Sequence, residues 1–121
     1  MRPEEPAHLY TFYEVQTFTA KLAAVAGEDA LQLLYAIQSD LLSDPMRWPL
    51  VKGTGGTRKG RVALPGSEHG KSGGLRYLYL FTEHRGRIYL LHLYSKSNQS
   101  EIPAEQKKEI ALLVKVLKQS P

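Results

Sequence analysis

Two neighbouring apolar segments constrain the fold of this chain more than any other feature. Leu75–Thr82 and Arg87–Lys96 are rich in aliphatic and aromatic residues, and only the short turn EHRG separates them. This pattern predicts two strands that pair as an antiparallel hairpin. Alternation places apolar side chains on both faces of each strand, so the hairpin belongs at the centre of a sheet. The residues that we expect on opposite faces are Leu78 and Leu80 against Tyr77, Tyr79 and Phe81, and Ile88 and Leu90 against Leu91 and Leu93.

The flanking segments supply the other elements of an α+β domain. Residues 10–18 predict a first strand, which is followed by a short helix that ends at Gly27 and a second helix over 28–42. Residues 57–64 predict another strand, and a last helix should run from 103 to about 118. The predicted order is β-α-α-β-β-β-α, with helices over a small antiparallel sheet. Residues 1–9 are expected to be a flexible leader before a single domain over 10–121.

Apolar spacing identifies the buried faces of the two longer predicted helices. Each helix carries its apolar residues at intervals of three and four, which places them on one face. The predicted buried positions are Ala30, Leu33, Leu34, Ile37 and Leu41 in the second helix and Ile110, Leu113, Val114 and Leu117 in the last.

A basic, glycine-rich stretch over 52–76 carries the clearest functional signal. It holds eight of the ten glycines, and six Lys or Arg residues against one Glu give it a net charge of +5, whereas the whole chain carries +4. Glycines let a backbone approach a ligand closely, and the cations between them can bind an anion. The stretch therefore predicts a phosphate-bearing polyanion such as nucleic acid as the partner.

Several classes of protein are disfavoured by the same sequence. The chain has no cysteine, so neither a disulfide nor a thiolate metal site is expected. No apolar run approaches the ~20 residues that a membrane helix needs, and the N-terminus does not have the pattern of a secretory signal. The segment GSEHGKS has only three residues between its glycines and precedes a predicted strand, so it is not a nucleotide-binding P-loop. We expect a cytoplasmic protein with no cofactor, no metal and no membrane partner.

Four motifs carry a resemblance to a known family. The segments GTGGTRKGRVALPG, GKSGGLRYLYLF, IYLLHLYSKS and PAEQKKEIALLVK resemble the RelE/HigB-like toxins of bacterial type II toxin-antitoxin systems. The resemblance extends from about residue 12 to residue 117. It implies a RelE-like fold, ribosome-dependent cleavage of messenger RNA in the ribosomal A site, and a cognate antitoxin that blocks this activity. It also implies that the antitoxin is a small helix-turn-helix DNA-binding protein.

The resemblance also implies a basic catalytic cluster. In these toxins a ribose 2′-OH attacks the neighbouring phosphorus without a metal, so the site must stabilise charge on the phosphoryl oxygens and handle two protons. Arginine suits the first task because its planar fork binds two phosphate oxygens. For the protons, Lys71 and Lys96 remain alternatives, and the base is not distinguished from the acid. The predicted catalytic residues are Arg61, Lys71, Arg76, Tyr94 and Lys96, and the predicted RNA- or ribosome-binding residues are Lys52, Arg58, Lys59 and His69.

Two other functions remain open at this stage. A toxin of the same fold could act on DNA gyrase, and a non-catalytic module could bind nucleic acid through the same basic stretch. His92, between leucines in a predicted strand, is expected to be a packed and hydrogen-bonded histidine rather than a catalytic one.

Overall fold

A computed structural model describes residues 9–64, 74–95 and 101–121 of the chain. These residues form a four-stranded sheet with helices on both faces, which confirms the predicted α+β fold and the order of its elements. The elements are β1 (Thr11–Glu14), α1 (Gln16–Ala26), a 3₁₀ turn (Gly27–Asp29), α2 (Ala30–Ser43), β2 (Arg58–Val62), β3 (Leu75–Thr82), β4 (Arg87–Ser95) and α3 (Ala104–Gln119).

The sheet is mixed, which corrects the prediction of a purely antiparallel sheet. Its strand order is β1-β4-β3-β2, and β3 pairs with both neighbours in the antiparallel sense. β1 lies at the edge and runs parallel to β4, with Thr11 opposite Arg87. Strands joined by a tight turn must be antiparallel. Two helices follow β1, and a connection of this length allows β1 to pair with its neighbour in either direction. The strand prediction over 10–18 was too long, because Phe18 is a fully buried residue of α1.

A β-bulge in β4 changes which side chains face each layer. Leu78 pairs with His92 and the next residue, Tyr79, pairs with Leu90, so Leu91 has no partner in the register. The extra residue shifts the alternation beyond it. Leu93 consequently packs in the same core cluster as Leu90 rather than on the opposite face, where it was predicted.

Each face of the sheet has its own hydrophobic core. The helices α1 and α2 cover one face, and α3 covers the other. The predicted apolar stripes of α2 and α3 are confirmed, since their central residues are buried and the remaining stripe residues pack beside them. The buried helix residues are Phe18, Leu22, Leu33, Ile37 and Leu41 on the first face and Ile110 and Val114 on the second.

The first glycines of the basic stretch serve packing within the protein. Gly55 has a φ of +79°, and a Cβ added to it would approach Val114 Cγ1 of α3 at 3.3 Å. Its carbonyl oxygen accepts a hydrogen bond of 2.7 Å from Lys118 Nζ. Glycine at this position therefore lets the turn before β2 pack closely on α3. Within the described residues, no helix is long and apolar enough to cross a membrane.

Candidate functional site

Three predicted site residues lie in one row across the sheet. The strand register places Arg61 of β2 opposite Arg76 of β3, and Arg76 opposite Tyr94 of β4. Directly paired residues in an antiparallel sheet project from the same face, with Cβ atoms about 4.5–5.5 Å apart. The hairpin thus brings Arg76, at the start of β3, beside the end of β4, as the position of the EHRG turn predicted.

Arg76 and Tyr94 are both removed from solvent. Their relative exposures are 9% and 3%, and the hydrogen bond found for Arg76 within the described residues is a long one of 3.5 Å to its neighbour's carbonyl, Leu75 O. The Tyr94 hydroxyl is buried and has no hydrogen-bond partner there. Burial raises the pKa of Tyr94, and the nearby Arg76 charge opposes this rise in part. The phenol is therefore neutral at neutral pH and keeps a proton to donate.

The exposed Arg61 lies near an aromatic side chain that comes from another part of the chain. Its guanidinium carbon is 5.9 Å from the centroid of the Trp48 ring. Trp48 Nε1 donates a 2.6 Å hydrogen bond to Asp40 Oδ2, and the Tyr77 hydroxyl donates to the same oxygen at 3.0 Å. Arg47 forms an ion pair with the other oxygen of Asp40 and lies 4.4 Å from the Trp48 centroid. The α2 carboxylate thus fixes the orientation of the indole ring.

Arg58 and Tyr79 hold the connection between α2 and β2 in place. Arg58 Nη1 donates hydrogen bonds to the carbonyl oxygens of Met46 at 3.0 Å and Trp48 at 2.7 Å. The Tyr79 hydroxyl donates to Pro45 O at 2.6 Å, and burial raises the pKa of Tyr79 to about 12. At least part of the Arg58 guanidinium is therefore used to stabilise the fold, and its contact with RNA stays a prediction.

The other predicted site residues are placed less centrally or lie outside the described ranges. Lys52 is exposed in the turn before β2, and the half-buried Lys59 pairs with Leu78, two residue pairs away from Arg76. Lys71, Lys96 and His69 lie outside the described residues, so their roles stay predictions.

His92 continues the site along β4. Its ring stacks on Tyr94 with centroids 5.3 Å apart, and its Nε2 lies 3.2 Å from the Gln106 amide nitrogen of α3. Burial lowers the pKa of His92, and the Lys21 charge lowers it further. This agrees with the prediction of a packed, hydrogen-bonded histidine.

Sequence reasoning did not identify the Asp40–Trp48 pair as part of the site. Neither residue carried a signal for this contact, because nothing local links two residues eight positions apart. The unusual signal was Arg47 beside the chain's only tryptophan, since guanidinium groups favour aromatic faces.

The arrangement is suited to binding a phosphate group. A buried guanidinium and a buried hydroxyl donor lie side by side, with a second guanidinium on the adjacent strand. Donors of this kind stabilise negative charge more strongly in a partly dry site than in water. Within the described residues, no group of three or more His, Asp or Glu side chains is placed to hold a metal ion.

Comparison with solved structures identifies the fold. No family model matches the sequence. A double arginine-to-alanine variant of the Escherichia coli toxin RelE, solved in the free state, is 12% identical with a TM-score of 0.55, and the match covers 87% of this chain and 96% of that one. The intact Escherichia coli RelBE toxin-antitoxin complex matches at 12% identity with a TM-score of 0.50, covering 71% and 95% respectively. The chain has the RelE-like fold, as the motifs predicted.

Proposed function

We propose that this RelE-like chain is the toxin of a type II toxin-antitoxin pair and cleaves messenger RNA on the ribosome. The buried pair of Arg76 and Tyr94 carries this proposal, because it sets a cation and an unpaired hydroxyl donor beside each other. Burying a hydroxyl without a partner, as at Tyr94, costs about 1–3 kcal/mol. A phosphate would supply acceptors for both.

The proposed reaction is an internal transesterification. The ribose 2′-oxygen attacks the adjacent phosphorus, its proton goes to a base, and the 5′-oxygen leaves with a proton from an acid. The products are a 2′,3′-cyclic phosphate and a free 5′-hydroxyl. In this scheme Arg76 and Arg61 bind the phosphoryl oxygens as charge develops on them, and Lys71 and Lys96 are the alternatives for proton transfer.

Tyr94 acts in this scheme as a neutral donor. Its raised pKa keeps the hydroxyl protonated, so it can donate a hydrogen bond to a phosphoryl oxygen or to the leaving oxygen. A phenolate at this position would repel the phosphate instead. The stacked His92 keeps the Tyr94 ring in its orientation.

The proposal includes two macromolecular partners. The ribosome would present the message, and a cognate antitoxin with a helix-turn-helix DNA-binding domain would neutralise the toxin. One of the two structural matches above is a toxin-antitoxin complex. We expect the antitoxin to cover the basic face that holds Arg61 and Arg76, and the toxin to act in the cytoplasm.

Primer extension on a defined message in a purified translation system tests the proposal. The wild type is compared with Arg76→Ala, with and without ribosomes, and Lys108→Ala on the exposed face of α3 is the control for lost positive charge. We expect discrete cuts only with ribosomes, unchanged in the control and lost in Arg76→Ala while the protein stays folded. An intact message with wild-type protein would contradict RNA cleavage and favour gyrase or simple nucleic-acid binding.

A further inference from the structure

A cavity of about 240 Å³ lies on the α2 face of the sheet, at the edge formed by β2. Its lining residues are Asp40, Arg47, Trp48, Arg61, Val62 and Ala63. Small-molecule sites usually measure roughly 300–1,000 Å³. A space somewhat below that range fits a single planar ring better than a whole nucleotide chain.

The walls of this cavity suit the base of a nucleotide. Trp48 offers a large aromatic surface, and its orientation is fixed because Asp40 accepts the indole N–H. Asp40 is itself held by the Tyr77 hydroxyl from β3 and by the Arg47 ion pair, so the ring rests on the rigid sheet and α2. Nucleobases stack on such fixed aromatic rings, and stacking tolerates any base because every base has a π-face.

Arg61 connects this cavity to the proposed cleavage site. Its side chain lines the cavity, while its backbone pairs directly with Arg76 in the neighbouring strand. Arg76 and Tyr94 lie on the α3 face of the sheet, whereas the cavity lies on the α2 face. Because β2 is the edge strand, the long Arg61 side chain extends past this edge to within 5.9 Å of the Trp48 centroid and links the two faces. In the described part of the chain, the ion pair found at this cavity joins Arg47 to Asp40 and does not include Arg61.

We propose that the Trp48 cavity is a stacking subsite for one base of single-stranded RNA, next to the cleaved phosphate. This inference rests on the proposed function and adds a contact with the substrate that the motifs did not predict. The base stacks against Trp48, and Arg61 binds the phosphate that joins this nucleotide to the next. Arg47 lies over the Trp48 ring, 4.4 Å from its centroid, and its charge is paired with Asp40.

A cycle that changes both protein and RNA tests the subsite. Cleavage rates on programmed ribosomes are measured for wild type and Trp48→Leu, each with an intact message and with messages that are abasic at one position beside the cut. For one of these positions we expect each single change to slow cleavage about 5-fold or more and the double change to slow it little further, because both remove the same contact. Additive effects at every flanking position would overturn the subsite while leaving the cleavage function intact.

Controls separate this outcome from misfolding and from failure of the proposed function. Tyr35→Leu removes an exposed aromatic residue from the outer face of α2 and should cleave every message like the wild type. Trp48→Phe keeps an aromatic face. Unlike Trp48→Leu, it should therefore cleave the intact message faster than the abasic one, as the wild type does. No cleavage of the intact message by wild type would overturn the proposed function and the subsite together.

Fluorescence gives a second measurement that does not depend on catalysis. Trp48 is the only tryptophan in the chain, so its emission reports on this cavity alone. A short RNA with 2′-O-methyl groups, which cannot be cleaved, should quench the emission as it binds. The matching abasic RNA should bind with much less quenching, and equal quenching by both RNAs would contradict stacking.

Discussion

Arg76 on β3 lies directly opposite Tyr94 on β4, and the Tyr94 hydroxyl is buried without a hydrogen-bond partner among the described residues. An unsatisfied buried hydroxyl costs folding free energy. Its retention is explained if a ligand supplies the missing acceptor.

Replacing Tyr94 by Phe should therefore separate stability from activity. Removal of the unpaired hydroxyl should leave the free energy of unfolding unchanged or raise it by up to about 1 kcal/mol, whereas loss of the donor should slow cleavage at least about 10-fold. Urea unfolding and primer extension measure the two effects. Tyr89→Phe is the control, because the hydroxyl of Tyr89 accepts a 3.2 Å hydrogen bond from Arg87. Its removal should lower the free energy of unfolding.

Arg58 is expected to matter for stability whether or not it contacts RNA. Arg58→Met removes the donors to the carbonyl oxygens of Met46 and Trp48, so we expect a loss of about 1–3 kcal/mol in the free energy of unfolding. Lys59→Met, at the next position of β2, is the matched charge control and should change stability much less. Equal stability of the two variants would show that the Arg58 hydrogen bonds contribute little.

Gly60 should not tolerate a side chain. A Cβ at this position would collide with the Tyr77 ring, which crosses over the glycine to reach Asp40. Gly60→Ala should lower the free energy of unfolding by about 1–3 kcal/mol through overpacking. Gly27→Ala provides the comparison, since its added Cβ meets open space and only its φ of +50° opposes the change. Thermal or urea unfolding of both variants should show the larger loss for Gly60→Ala.

His92 should make the folded state less stable in mild acid. Burial first, and Lys21 second, lower the pKa of His92 in the folded chain below its usual 6.5. The unfolded chain then binds a proton at a pH where the folded chain does not, so stability is full above about pH 6.5 and decreases as the pH falls below it. Urea unfolding from pH 8 to 5 should show a smaller loss for His92→Gln than for wild type. The exposed His84→Gln variant should follow the wild-type profile.

Parts of the site followed from the sequence because they depend on local pattern. The bounds of β3 were predicted residue for residue, and the position of the hairpin turn was sufficient to bring Arg76 beside Tyr94. The direction of β1 was not predictable, because the helices between it and the other strands allow either orientation. The bulge at Leu91 was also missed, since periodicity over a strand that is apolar on both faces does not reveal an inserted residue.

The sequence by itself determined the element order, the apolar stripes of α2 and α3, the central hairpin and the position of the basic stretch along the chain. Those features depend on the spacing of apolar residues that are close in sequence, because this spacing decides which side chains a helix or strand can bury on one face. Only the tertiary structure decided that Arg61 shares a row with Arg76 and that Asp40 fixes Trp48 beside it. Such contacts join residues distant in sequence, and their geometry depends on how whole elements pack rather than on any local pattern.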